Sequence, residues 1–234
     1  FEEKEEITST GDLLEDCAIT PVTIDSCDSE NEDLTYSWNF LYERKLFDLE
    51  DENNNEFYYC DEGQYAGRVI VPFTKHNTLY YFQARALRRT TKPKYLNPVS
   101  DSGIRQSAIL YPYNEEADNL VVCEGPLDAL SLQRQGINAT CTLGCRISNI
   151  QMDILKEFEG DVIIGYDNDD AGYKGLLTAD YLRRKKMMPE LYVAFPPNDV
   201  KDWNDAHVMG IDLQRYLSEA KTKYDFEYQI LSSL

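Results

Sequence analysis

Two rhythms of hydrophobic and polar positions run along the chain. Residues 1–33 are acidic, rich in Ser and Thr and poor in aromatics, and read as a solvated lead-in. From Asp33-Leu-Thr-Tyr36 a helical spacing begins, with Trp38, Leu41, Tyr42 and Leu46 on one face. Asn53–Asn55 and Asp61-Glu62-Gly63 mark loops. The segments 68–73 and 79–87 read as strands joined across His76-Asn77 as a hairpin, and Pro93 and Pro98 bracket an irregular piece. Asn114–Asp118 is a polar boundary. From 119 the chain alternates regularly. Short apolar strands are expected at 120–123, 138–142, 162–166 and 191–195. Between them lie a helix opened by Pro126 and stopped by Gly136, a helix capped by Ser148, and a long helix from Ala171 to about Met187; a closing helix follows at 211–221. Strands separated by crossover helices imply a parallel sheet.

Composition narrows the class. Of 234 residues, 42 % are hydrophobic and 12 % aromatic, enough for a core and too many for a disordered chain. No apolar run reaches the ~18–20 residues that span a bilayer, and no signal-peptide pattern opens the chain. A soluble, cytoplasmic protein with no membrane partner is expected, and a start at Phe1 suggests an excised piece. Six cysteines are too few for a disulfide scaffold, and no repeat of fixed period is present. The net charge of −19 argues at face value against a nucleic-acid partner. Its distribution changes that. Residues 1–33 hold twelve acids and one base, and 48–62 hold seven acids and no base. Residues 68–105 hold eight bases against one acid, a patch that can hold phosphates within a Debye length of ~8–10 Å.

In an open parallel sheet, ligands bind beyond the carboxyl ends of the strands. After the first expected strand comes Glu124-Gly125-Pro126-Leu127-Asp128; after the third, Asp167-Asn168-Asp169-Asp170-Ala171-Gly172; after the fourth, Asp199-Val200-Lys201-Asp202-Trp203-Asn204-Asp205. Three of four strand ends thus deliver carboxylates to one rim. Asp167 and Asp169, two apart in an extended exit, share one side. Glu124, Asp167 and Asp169 are expected to converge closely enough to cage a doubly charged ion, because crowded like charges need a positive charge between them. An all-oxygen donor set suits Mg²⁺ or Mn²⁺, ions that serve phosphoryl transfer. The start of an EF-hand loop is mimicked by 167–172 but fails, since Ala171 and Thr178 stand where oxygen ligands are needed.

These residues resemble the TOPRIM domain, the metal-binding α/β module of DnaG-type primases, topoisomerases and some nucleases. Glu124-Gly125 and Asp167-Asn168-Asp169 match its two acidic motifs. The primase branch is similar in more detail, through Glu124 to Asp128, Leu143-Gly144, Asp167 to Gly172, and Asp202-Trp203-Asn204 in place of Asp-Pro-Asp. Upstream, Gly67 to Phe73, Ala84-Arg85-Ala86-Leu87, Lys92 to Asn97 and Arg44 resemble the basic segments of primases. The resemblance covers about 34–210 and implies a DNA primase catalytic core that makes short RNA primers on single-stranded DNA. It implies a TOPRIM Rossmann-like parallel sheet flanked by helices, preceded by a smaller mixed α+β subdomain. The divisions expected are an acidic lead-in (1–33), the basic subdomain (34–118), the TOPRIM domain (119–210) and a C-terminal helical segment (211–234).

By the same resemblance, Glu124, Asp167 and Asp169 are catalytic and bind metal, with Asp128 and Asp202 assisting a second ion and either Asn204 or Asp205 beside them. Arg44, Arg68, Arg85, Lys94, Asn97 and Arg105 are the expected template and nucleotide contacts; Gln106, beside Arg105, stands where the family often has Lys. The implied partners are single-stranded DNA, ribonucleoside triphosphates and a replicative helicase, and the divergence suggests a phage-like source. No primase zinc module is formed by Cys17 and Cys27, and no helicase ATPase motif occurs. A TOPRIM nuclease and a non-catalytic replisome module are the rival readings. Cys141 and Cys145 read as buried thiols, His76 as a hairpin residue and His207 as a helix residue. Tyr58, Tyr59, Tyr80 and Tyr81 read mainly as packing residues, with base stacking as the sharper alternative.

Overall fold

The structure is a computed structural model describing residues 17–47, 57–75, 78–98, 104–188, 191–197, 199–218 and 221–222. The chain divides into two compact units, one comprising residues up to Glu43 and Phe47–Arg105, the other Arg44–Leu46 and the chain from Gln106 onward.

The first unit is an antiparallel meander in chain order: β1 (Ile19–Pro21), β2 (Tyr58–Cys60), β3 (Arg68–Lys75), β4 (Thr78–Ala86) and β5 (Tyr95–Leu96). The long β3–β4 ladder pairs Arg68 with Ala86 and Phe73 with Tyr81, with a bulge after Phe73; the expected turn at His76-Asn77 lies outside the described residues. Cys60, Tyr65, Ile70, Phe82 and Ala84 form the core. Helix α1 (Glu32–Glu43) buries Leu34, Ser37, Phe40 and Leu41, the i, i+3, i+4 stripe of an amphipathic helix.

Two small strands depart from expectation. Ile19–Pro21 lies within the stretch read as a solvated lead-in, yet pairs with Tyr58–Cys60 as an edge strand. Tyr95–Leu96, read as irregular, pairs with β4. Each is too short for an alternating pattern to stand out.

In the second unit the strands are β6 (Asn119–Cys123), β7 (Ala139–Cys141), β8 (Asp161–Ile164), β9 (Tyr192–Val193) and β10 (Lys221–Thr222), in the order β10-β9-β8-β6-β7. The first four are mutually parallel, and β10 runs antiparallel at the edge. Leu120, Val121, Val122 and Cys123 are all buried, as a central strand covered on both faces requires. Helices α2 (Pro126–Gln133), α3 (Asn149–Lys156) and α4 (Asp170–Lys186) are the crossovers. Pro126 opens α2 at its first turn, and a reciprocal Ser148–Gln151 capping box opens α3.

The closing helix expected over 211–221 is shorter. It is α6 (Leu213–Leu217), preceded by a short helix, α5 (Trp203–Val208), which holds His207 as expected but whose extent the pattern does not mark. Among the described residues of the segment expected to be helical over 211–234 there are one short helix and strand β10; residues 219–220 and 223–234 lie outside the described residues. Among the described residues, no helix is long and apolar enough to cross a membrane.

Arg68 departs from its expected role. It is 2 % exposed, and its guanidinium donates to the carbonyl oxygens of Ala84 and Lys94, both at 3.5 Å. Burial lowers its pKa. A side chain enclosed in this way is part of the sheet rather than a surface contact for phosphate. Arg68→Ala is expected to cost about 2–3 kcal/mol in unfolding free energy through lost packing and unpaired carbonyls. Urea denaturation measures that cost.

Candidate active site

The order in which successive strands are added to the second sheet reverses at β6. From β6 the chain passes to β7 on one side, then returns to β8 on the other. The carboxyl ends of β6 and β8 therefore flank a topological switch point, where open α/β sheets form a crevice. Glu124 follows β6 directly, and Gly165-Tyr166-Asp167 leads out of β8. The Glu124 carbonyl accepts from Gly144 N–H at 2.8 Å, so the Leu143-Gly144 turn fixes that strand end. The Glu124 carboxylate accepts from Asp167 N–H at 3.3 Å, which ties the two exits together.

The β8 exit is held tightly. Asp169 caps α4, its Oδ1 accepting from Ala171 and Gly172 N–H, both at 3.0 Å. A Cβ on Gly172 would stand 2.0 Å from the Asp167 carbonyl oxygen, so only glycine lets the helix start this close to the acid. The third strand exit ends in Asp202, which caps α5 by accepting from Asp205 N–H at 2.8 Å. Asn168 N–H donates to the Lys201 carbonyl at 3.1 Å and links this loop to the β8 exit. Buried Trp203 donates its indole N–H to the Gly165 carbonyl at 2.7 Å. Asp128, in the first turn of α2, accepts from Asn204 N–H at 3.1 Å.

Five carboxylates thus share one rim, and their electrostatics show the crowding. Burial, reinforced by Asp167, pushes the Glu124 carboxyl up to about 7. Burial and Asp202 push Asp167 up to about 6, against the pull of Lys201. Burial and Asp202 also hold Asp128 well above its ordinary range. Asp169 goes the other way: burial would raise it, but the Gly172 N–H, the Lys201 ammonium and the Ala171 N–H bring it below the ordinary value. The Lys201 ammonium lies 3.4 Å from Asp167 Oδ2 and 3.5 Å from Asp169 Oδ2.

The expected cage is present as a rim rather than as a formed ligand set. Among the described residues, no three His, Cys, Asp or Glu side chains are arranged to hold a metal ion as they stand. One Asp169 oxygen is committed to its helix cap, and Lys201 supplies the positive charge beside the other. The donor set still fits a hard divalent cation, because every donor is a carboxylate oxygen and the acids repel one another. Asn204 is placed as a tie, its amide donating to Ser131 Oγ at 2.9 Å and to the Arg44 carbonyl at 3.0 Å. Of the two candidates at that position, Asn204 is buried and Asp205 exposed; the Asp205 pKa is raised by burial and Asp202 and pulled back by Arg44.

The expected basic contacts fall in different places. Arg44 belongs to the second unit with the acids. Arg85 lies in the first unit with its guanidinium 4.7 Å from the Tyr95 ring centroid and 5.9 Å from that of Phe40; its Nε and Nη1 are buried without a hydrogen-bond partner. Lys94 is exposed, its ammonium 5.5 Å from the Tyr95 ring. Asn97 Oδ1 accepts from Gln83 Nε2 at 3.1 Å. Arg105 is exposed at the end of the first unit. Tyr59 and Tyr81 are each 2 % exposed and have no face to offer a base. Lys201 is the residue that sequence reasoning missed; its one signal is its place directly before a capping Asp in an acidic strand exit.

Comparison with known proteins agrees with this geometry. Residues 121–207 match the Toprim-like family. The chain is 29 % identical over 142 residues to a DNA primase of Campylobacter jejuni, a match covering 57 % of this chain and 23 % of that protein. It is 33 % identical over 128 residues to a DNA primase of Clostridium acetobutylicum, covering 51 % and 21 %. The match thus spans less than a quarter of either relative. A DnaG primase catalytic domain bound to single-stranded DNA shares the fold with a TM-score of 0.63 at 22 % identity, over 97 % of this chain and 73 % of the other. The RNA polymerase domain of Mycobacterium tuberculosis DnaG superposes with a TM-score of 0.67 at 17 % identity, over 86 % and 81 %. The chain therefore resembles a DnaG-type primase core and has its fold, with a TOPRIM-type α/β sheet. These relatives are bacterial and lend no support to a phage source.

The crowded acids generate a pH dependence. Glu124 and Asp167 bind protons more tightly in the folded protein than at their ordinary values of 4.5 and 3.8. Stability without metal therefore falls as pH rises from the ordinary values through about 6 and about 7, and the full penalty is present above that. Glu124→Gln removes one ionisable partner. In EDTA at pH 8 it should raise the unfolding free energy by about 1–2 kcal/mol, discounted for partial exposure, and by much less at pH 5. Thermal melts at the two pH values check this.

Proposed function

We propose that this chain is the catalytic core of a DNA primase, making short RNA primers on single-stranded DNA by metal-dependent nucleotidyl transfer. The observation that carries the reading is the meeting of Glu124, Asp167 and Asp169, with Asp128 and Asp202 behind them, at the switch point between β6 and β8. Similarity to bacterial DNA primases supports it.

Glu124, Asp167 and Asp169 would hold Mg²⁺ or Mn²⁺, and Asp128 with Asp202 a second ion. When bound, such a cation lowers the cost of forming the 3′-oxyanion and neutralises charge building on the α-phosphate. The chain's own groups set the geometry around it. The Glu124–Asp167 backbone link fixes the spacing of the two strand exits. The α4 cap turns Asp169 toward Asp167, so both present an oxygen to one positive charge. Asp202 is held by its cap at the head of α5.

Arg85, Lys94, Asn97 and Arg105 are the residues proposed to hold template and triphosphate, with Gln83 orienting Asn97 and Tyr95 stacking on Arg85. Arg44 is assigned to the acidic rim, where it faces Asp205. Affinity for DNA should be modest and salt-sensitive, because these few cations work against a net charge of −19. The domain reading follows the same line, with a basic subdomain ahead of the TOPRIM domain. A replicative helicase is the partner that this role calls for, acting on DNA in the cytoplasm.

A TOPRIM nuclease would use the same acids to hydrolyse a phosphodiester. Incubation with single-stranded DNA, labelled ribonucleotides and Mg²⁺ or Mn²⁺ separates the two: a primase incorporates label into short RNA, and a nuclease shortens the DNA. Asp167→Asn should reduce incorporation by at least 10²-fold while the far-ultraviolet dichroism and melting cooperativity stay intact. Near-normal incorporation by that variant overturns the site.

A further inference from the structure

One cation, Lys201, stands among the rim acids without being a candidate metal ligand. Lys201 is anchored by its backbone, its carbonyl receiving Asn168 N–H at 3.1 Å, and the next residue is the Asp202 cap of α5. Its side chain is half-exposed, whereas that of Asp167 is mostly buried. Its ammonium stands within 3.5 Å of an oxygen on each of two proposed metal ligands. An ammonium and a divalent cation drawn to the same two oxygens repel each other, and a flexible four-carbon stem with a solvent-facing side has somewhere to go.

We infer that Lys201 is a tethered counter-ion: its ammonium neutralises the Asp167–Asp169 side of the rim when no divalent cation is held, and leaves that place when one binds. It is a positioning residue that acts through the two acids. It keeps the strand exits of β8 and the 199–202 loop together while the acids are ionised and metal-free, and it sets the metal affinity by competing for the same oxygens. The inference rests on the metal reading above, and its consequence is opposite in sign to that of a ligand: removing Lys201 strengthens metal binding, whereas removing Asp167 weakens it.

The test is Mn²⁺ binding by the full chain at pH 8 and low salt, read by electron paramagnetic resonance of free Mn²⁺. Lys201→Met keeps the length of the side chain and removes its charge. It should bind Mn²⁺ about 5- to 20-fold more tightly than the unaltered chain, while Lys201→Arg, which keeps the charge, binds no more tightly. In EDTA, Lys201→Met should melt about 2–4 °C lower, and saturating Mn²⁺ should erase the difference. Equal Mn²⁺ affinity in the unaltered chain and Lys201→Met, or weaker binding in the variant, overturns the counter-ion role while leaving the metal site standing. If the unaltered chain binds no Mn²⁺ and Asp167→Asn changes nothing, the metal reading falls and the exchange with it.

Discussion

Repulsion among carboxylates at the switch point is the constraint around which the second unit is organised. The strand order β10-β9-β8-β6-β7 brings the exits of β6 and β8 side by side, and each exit ends in an acid. Partial burial makes the repulsion costly, as the raised Glu124 and Asp167 carboxyls show. The surrounding structure offsets it by three means. Backbone N–H groups at the heads of α4 and α5 point at Asp169 and Asp202. Asp167 N–H donates to Glu124, and Asn204 N–H to Asp128. Lys201 adds a full positive charge next to the two acids of the β8 exit. None of these abolishes the repulsion. A site that remains under-neutralised in this way favours a cation, and that preference is the chemical content of the fold.

Much of the second unit was legible because its strands are buried on both faces and separated by helices with clear signals. Pro126, the Ser148 cap and the strand-end acids are local devices, and each is found where its pattern says. What escaped was either short or non-local. Helix α5 has six residues, too few for a period, and its start is set by the Asp202 cap. Strands β1 and β5 are defined by pairing with distant partners rather than by their own alternation. Lys201 carries no motif. Its significance comes from a spatial relation to residues more than thirty positions upstream, which a linear pattern does not encode.

The basic stretch shows the same limit from the other side. Arg68, Arg85 and Arg88 look alike as letters, but burial sorts them. Arg68 is spent on two carbonyls inside the sheet. Arg88 pairs with Asp33 and lies over the Tyr36 ring. Arg85 rests between Tyr95 and Phe40 with two buried, unpaired nitrogens, a costly arrangement offset in part by the ring contacts. The Asp33–Arg88 pair also shows that part of the acidic lead-in neutralises the basic stretch. The charge available to an anionic partner is therefore smaller than a count of lysines and arginines implies.

Asn204 completes the account. The resemblance places an acid at this position, and the structure shows why an amide serves here. A carboxylate would add a further negative charge beside Asp202 and Asp128, the latter already held well above its ordinary range. An amide instead donates: the Asn204 Nδ2 bonds Ser131 Oγ and the Arg44 carbonyl, and its backbone N–H bonds Asp128. His207, one turn further along α5, lies 3.2 Å from the Lys45 carbonyl through Nε2 and 3.1 Å from Gln135 through Nδ1. Together with Arg134, which donates to the Leu46 carbonyl at 2.7 Å, these contacts explain why Arg44–Leu46 belongs to the second unit although the helix before it belongs to the first. The amide at 204 thus replaces a further negative charge with a fixed α2–α5 joint, leaving Asp128 and Asp202 as the carboxylates it borders on that side of the rim.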